Sequence, residues 1–191
     1  MTELWLVRHG QTDWNTEFRI QGSIDKPLNA TGIEQAHELA QKLADTHFDA
    51  IYSSPARRAH QTASAIAQLL GLPIRTDDRL KEINLGLWEG LTWQQVQDRY
   101  PEMFAKRRSD PVHFAPEGAE TYGDLARRMV QAANDIALAH PGERVLVVSH
   151  GMSLATLLSK ARGTDLADAY HLVPQNATPE VIEWEPEHRH N

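Results

Sequence analysis

Arg8-His9-Gly10 and Ser149-His150-Gly151 occupy matching places in the chain. Each follows an apolar run, Leu4-Trp5-Leu6-Val7 in one case and Val145-Leu146-Val147-Val148 in the other. Four apolar residues in a row predict a strand covered on both faces, as in a parallel sheet. Ligands bind at the carboxyl ends of such strands in open α/β sheets. One histidine there is as readily a satisfied core residue as a functional one; two strands ending alike are a stronger signal. Imidazole is a nucleophile or an acid–base group near neutral pH, and an anion partner once charged. The arginine beside His9 turns the expectation towards an anionic ligand. Gly10 lets the chain turn sharply or approach a neighbour closely.

A third run, Ala50-Ile51-Tyr52-Ser53, leads into Ser54-Pro55-Ala56-Arg57-Arg58. Ser54 and Pro55 mark a helix start, where free backbone N–H groups favour an anion. Cations in that first turn oppose the helix dipole. Arg57 reads as solvated, whereas a bound anion accounts better for Arg58. Other chemistries fit poorly. A G-x-S-x-G elbow and a Gly-rich phosphate loop are missing. The strand-end histidines come with arginines rather than with the clustered Asp/His ligands of a metallophosphatase. The absence of cysteine excludes thiolate catalysis and disulfides.

The elements that must carry these residues alternate strand and helix. With 191 residues, 41% of them apolar, the chain suits one domain with a sizeable core. Strands are expected at Leu4 to Val7, Asp49 to Ser53, Pro73 to Thr76 and Arg144 to Val148, with an edge strand at Val181 to Trp184. Thr31-Gly32-Ile33-Glu34 reads as a capping box, followed by Ile33, Ala36, Ala40 and Leu43 at helical spacing. Further helices are expected at about Ala56 to Leu70, from Thr92 towards Tyr100, at Thr121 to Ala139 with Leu125, Met129, Ala133 and Ile136 on one face, and at about Met152 to Arg162. The fold class is α/β: a single-domain three-layer α/β/α sandwich, with a mostly parallel sheet and helices on both faces. The domain is expected over residues 1–185, with a specificity excursion at 93–120 and a loose tail at 186–191. Net charge of −7 argues against a nucleic-acid surface and confines any phosphate site to a local basic pocket. The first residues lack a signal-peptide pattern, and no apolar run suffices to span a bilayer, so a soluble, cytoplasmic protein with no membrane partner is expected.

Arg8-His9-Gly10 with Thr12 and Asn15, Ser54 with Arg58-Ala59 and Thr62, Glu82 with Gly86, and Ser149-His150-Gly151 together resemble the histidine phosphatase superfamily, the family of phosphoglycerate mutases and related phosphatases. The likeness runs in order from about residue 4 to about 185 and implies a phosphoglycerate mutase-like fold. It makes His9 the nucleophile, places Arg8, Arg58 and His150 round the phosphoryl oxygens, and makes Asn15, Gln21, Gly22 and Gly151 substrate-binding. It gives Glu82 the role of proton donor; burial and a nearby phosphate dianion both favour the protonated acid this needs. Without the resemblance, Glu82 is one carboxylate among 26 acidic residues.

The implied activity is metal-independent, cofactor-free hydrolysis of a small phosphorylated metabolite. The alternatives are a phosphoglycerate mutase and, less favoured, a non-catalytic phosphate-binding regulator. Met152 and Leu85 stand where mutases carry Asn and Tyr, and the mutase insertion is missing; both favour the phosphatase branch. Lys106-Arg107-Arg108 resembles a basic pair that mutases use on the substrate, but reads better as a solvated turn before Asp110-Pro111. Trp88, Trp93, Tyr100, Phe104 and Phe114 offer either an apolar wall for the pocket or the packing of a small subdomain. His37, His47 and His140 are expected to be exposed and His188 and His190 to lie in the tail. His60, His113 and His171 have weaker claims on the pocket. Oligomeric state is open, a homodimer being one option.

Overall fold

The computed structural model describes residues 1–186. Five strands form one sheet: β1 (Thr2–Arg8), β2 (Ala50–Ser53), β3 (Ile74–Thr76), β4 (Arg144–Ser149) and β5 (Pro179–Trp184), in the order β3-β2-β4-β1-β5. β1, β2, β3 and β4 are parallel, and β5 runs antiparallel on the β1 edge. β1 and β4 pair in register, so Arg8 lies opposite Ser149. The two His-Gly pairs therefore leave the sheet side by side, as the matching apolar runs required.

The seven α-helices are α1 (Asp13–Thr16), α2 (Ala30–Lys42), α3 (Arg57–Leu70), α4 (Trp93–Arg99), α5 (Pro101–Ser109), α6 (Tyr122–Ala139) and α7 (Gly151–Arg162). One face of the sheet, with Val7, Ile51, Leu146 and Val148, packs on α2 and α3 through Leu39, Ala63 and Ile66. The other, with Leu4, Leu6, Val145 and Val147, packs on α6 and α7 through Leu125, Met129, Leu154 and Leu157. This is the expected three-layer sandwich. The periodicity of α6 holds throughout: Leu125, Met129, Ala133 and Ile136 are all buried.

Several details depart from the sequence reading. The cap of α2 is Asn29, whose Oδ1 accepts from Gly32 N at 2.9 Å, rather than Thr31. Ile33 is consequently exposed. The 93–120 excursion opens with two helices and continues as turns and irregular chain over 110–120: Thr92 caps α4 as expected, and Pro101 opens α5 at a position where its missing N–H is harmless. Lys106-Arg107-Arg108 is therefore the last turn of a helix; Lys106 and Arg108 are exposed, as a solvated turn requires, but Arg107 is buried at 6% exposure. His140 is also buried, its Nδ1 2.6 Å from Glu143 Oε2 and its Nε2 3.0 Å from Arg75 Nη1. His188, His190 and most of the expected tail lie outside the described residues. Among the described residues, no helix is long and apolar enough to cross a membrane.

Candidate active site

β1 and β4 deliver His9 and His150 to one place, with ring centroids 5.2 Å apart. Both side chains are buried. His9 Nδ1 lies 2.7 Å from the Gly10 carbonyl. A carbonyl only accepts, so Nδ1 carries the proton and Nε2 keeps its lone pair. The His9 backbone is fixed as well: its N–H donates to the Ser149 carbonyl at 3.0 Å, and its carbonyl accepts from Asn176 Nδ2 at 2.7 Å. Gly10 is required by close approach: a β-carbon there would lie 2.5 Å from the Gly32 carbonyl at the start of α2.

His150 Nε2 lies 2.8 Å from Ser54 Oγ, which also accepts from Ala56 N at 3.3 Å. His150 Nδ1 is a buried atom with no partner, and it carries the ring proton when the Ser54 hydroxyl donates to Nε2. Arg58 is 1% exposed; its Nη1 and Nη2 donate to the Ile24 and Gly22 carbonyls at 2.8 and 2.9 Å, leaving Nε buried and unpartnered. Arg8 is alike: Nη1 donates to the Pro174 carbonyl at 3.1 Å, and Nε is buried without a partner. A β-carbon on Gly151 would lie 3.5 Å from that Nε, which sets Arg8 against the start of α7. Burial, then the charges of Arg58 and Arg8, hold His9 well below the ordinary histidine range; burial and Arg58 do the same for His150. Both imidazoles are neutral in the free protein.

Glu82 is half-buried and anchored. Its Oε1 accepts from Ile83 N at 2.9 Å and Ser153 N at 3.1 Å and lies 3.2 Å from Ser153 Oγ, whose proton goes to the Lys81 carbonyl at 2.8 Å, and its Oε2 accepts from Met152 N at 3.2 Å. The carboxylate thus occupies the positive end of α7, whose cap residue, His150, offers no side-chain bond of its own. The start of α3 has its anion too: Asp25 Oδ1 accepts from Arg57 N at 2.7 Å, while the Arg57 side chain is exposed.

Asn15 closes the capping box of α1, its Oδ1 accepting from Thr12 N at 2.9 Å. Gln21 is buried, with Oε1 unpartnered. His60 is exposed, and His113 is exposed beside Asp110. Ile83 and Leu85, which follow Glu82 in the chain, line a cavity of about 740 Å³ together with Trp93, Phe104, Arg107, Arg108, Tyr122, Met152, Tyr170 and His171 among others. Trp93, Phe104 and His171 therefore reach it, whereas Trp88 and Tyr100 pack in the core. Arg107 Nη1 donates to the Phe114 and Glu120 carbonyls at 2.6 and 3.0 Å; Nη2 is buried and unpartnered. Sequence reasoning missed Tyr122, Tyr170, Ser153 and Arg128, none of which stands in a local motif. Among the described residues, no group of three or more His, Asp or Glu is placed to hold a metal ion.

Comparison with known proteins places this geometry. A family model of the histidine phosphatase superfamily (branch 1) matches residues 4–190. Phosphoserine phosphatase 1 of Hydrogenobacter thermophilus is 34% identical over 185 residues, 97% of this chain and 88% of that protein. A probable phosphoglycerate mutase GpmB of Yersinia pestis (strain Pestoides F) is 42% identical over 166 residues, 85% of this chain and 76% of that one. Among solved structures, a mycobacterial glucosyl-3-phosphoglycerate phosphatase complexed with VO3 superposes with a TM-score of 0.84 at 30% identity, over 97% of this chain and 99% of that one. With two strand-end histidines, a buried Arg58 beside a half-buried Arg8 and a near-full-length family match, the chain belongs to branch 1 of the histidine phosphatase superfamily.

Proposed function

We propose that the protein hydrolyses phosphomonoesters of small organic molecules through a phosphohistidine on His9, without a metal. One observation carries this reading. Arg8 Nε, Arg58 Nε and His150 Nδ1 are buried nitrogens with no partner, next to an imidazole whose Nε2 is free. Unpaired buried donors are costly, by about 1–3 kcal/mol each, and a phosphoryl group bound among them would offset that cost. In the first step His9 Nε2 attacks phosphorus, the P–N bond forms and the P–O bond to the leaving group breaks. Glu82, protonated, gives its proton to the departing oxygen. In the second step water attacks phosphorus, a new P–O bond forms as the P–N bond breaks, Glu82 takes a proton from the water, and phosphate leaves with His9 Nε2 regaining its lone pair. Uncatalysed phosphomonoester hydrolysis can need acceleration approaching ~10²¹-fold, about 28 kcal/mol, so several fixed donors must act together.

The cavity receives the leaving group. Phosphoserine and glucosyl-3-phosphoglycerate, for which two of the relatives are named, both carry a carboxylate. The unpartnered Arg107 Nη2 suits a leaving group of that kind. Trapping with labelled substrate in the presence of EDTA tests the reading. An acid-labile, alkali-stable phosphoenzyme that disappears in His9→Ala is expected; an alkali-labile adduct, label retained in His9→Ala, or no turnover until one metal is restored would overturn it.

A further inference from the structure

Arg128, on α6, divides its guanidinium between Glu120 and the backbone of the loop that carries Glu82. Nε and Nη2 donate to Glu120 Oε1 and Oε2 at 2.7 and 2.9 Å. Nη1 donates to the Arg79 and Lys81 carbonyls, each at 2.6 Å, and Nη2 donates also to the Glu82 carbonyl at 3.0 Å. A guanidinium has five N–H donors in a rigid fork, so none is left over. The remaining carbonyl of that stretch, Leu80, accepts from Ser149 Oγ at 2.7 Å, and Ser153 Oγ gives Lys81 a second donor at 2.8 Å. The backbone leading into Glu82 is thereby pinned by side chains at every carbonyl from 79 to 82.

Glu120 extends the tie. Its Oε2 accepts from Asn84 N at 2.9 Å, and its own N–H donates to the Asn84 carbonyl at 2.8 Å. Its carbonyl accepts from Arg107 Nη1 at 3.0 Å. The pair is mostly shielded from water, with side-chain exposures of 19% for Arg128 and 25% for Glu120. Bidentate charged bonds of this kind fix geometry as well as adding energy.

We propose that the Arg128–Glu120 pair is a positioning unit for Glu82, and that through Glu120 it joins the acid to the Arg107 wall of the leaving-group cavity. This rests on Glu82 being the general acid. Arg128 touches no substrate; it holds the loop from which the acid reaches the leaving oxygen. A pair that only stabilised the fold would leave the dependence on leaving group unchanged. Displacing the acid instead harms poor leaving groups, which need its proton, and spares good ones.

The experiment compares β-glycerophosphate, a poor leaving group, with p-nitrophenyl phosphate, a good one, in Arg128→Lys, Arg128→Met and Glu120→Gln, well below each variant's Tm. Lysine offers three donors from one point in place of the fork. As part of an acid contribution of ~10²–10⁴-fold, kcat on β-glycerophosphate should fall about ten- to hundredfold, with p-nitrophenyl phosphate, both KM values and inhibition by orthovanadate held within about threefold. Arg128→Lys should retain more than Arg128→Met; if the latter does not fold, Arg128→Lys and Glu120→Gln carry the test. Equal losses on both substrates overturn the proposal, as does no loss on either. Glu82→Gln in parallel separates the two ideas. Selective loss in Glu82→Gln without it in Arg128→Lys sinks the positioning role alone. Equal losses in Glu82→Gln itself sink the acid assignment.

Discussion

His9 shows how much of the site is decided at one side chain. The Gly10 carbonyl fixes its proton on Nδ1, and burial beside Arg58 and Arg8 holds its pKa well below the ordinary histidine range, which suits the nucleophilic role proposed for it. The same burial has a measurable cost. Between the depressed native value and ~6.5, the unfolded chain binds a proton at His9 that the folded chain does not. Stability is therefore complete above ~6.5 and falls as pH falls below it, by up to about 1.4 kcal/mol per pH unit for each such histidine. His9→Gln removes that contribution. In phosphate-free buffer, the Tm of His9→Gln minus that of the wild type should rise by roughly 2–4 °C between pH 6.5 and 5.5. A difference independent of pH would mean that His9 takes up its proton in the folded state as readily as in the unfolded one.

At the scale of elements, the histidine loop is held by a helix that contributes no catalytic side chain. The start of α2 lies against the turn after β1: a β-carbon on Gly32 would fall 2.0 Å from the Gln11 carbonyl, a backbone atom that cannot swing aside. Gly32→Ala should push α2 and residues 10–12 apart, lowering the urea midpoint by the equivalent of about 1–3 kcal/mol at unchanged m. Turnover of good and poor leaving groups should fall together, because the nucleophile is displaced before the acid is called on. A fully stable variant would show that the two segments slide apart without strain. Sequence reading located this region and mistook its parts: Thr31-Gly32-Ile33-Glu34 matches a capping box, yet Asn29 caps, and Gly32 is there for closeness. The strands and α6 were legible because short apolar runs and a 3.6-residue period need no distant partner. Arg107 and His140 were misread for the opposite reason. Phe114, Glu120 and the ring of Tyr122, 4.7 Å from the Arg107 guanidinium, bury the first, while Tyr52, Arg75 and Glu143 enclose the second. Glu82 was legible only through resemblance, since its partners in α7 lie some seventy residues on.

For the molecule as a whole, the outcome of the proposed reaction turns on what reaches a phosphohistidine at His9. A mutase must keep water away and hand the phosphoryl group back to a bound phosphoglycerate; a phosphatase must admit water. The roof formed by α4, α5 and the segment after α7 leaves Trp93 49% and Tyr170 57% exposed at the rim of the 740 Å³ cavity. Leu85 and Met152 present apolar side chains to that cavity, and Arg107 is its one fully enclosed cation. In the proposed reaction such a chamber, with Arg107 enclosed in its wall and Arg108 and His171 also lining it, leaves space for solvent once the alcohol departs. The mutase-named relative makes the comparison worth performing directly. With 3-phosphoglycerate as substrate, release of inorganic phosphate should outpace formation of the 2-phospho isomer, and 2,3-bisphosphoglycerate should not stimulate isomerisation. Arg107→Met should raise KM for 3-phosphoglycerate by about tenfold or more, the scale of one lost charged hydrogen bond, while p-nitrophenyl phosphate, which has no carboxylate, keeps its KM. Rapid isomerisation stimulated by the bisphosphate would show that the chamber closes on a second anion after all, and would move the protein from hydrolysis to transfer.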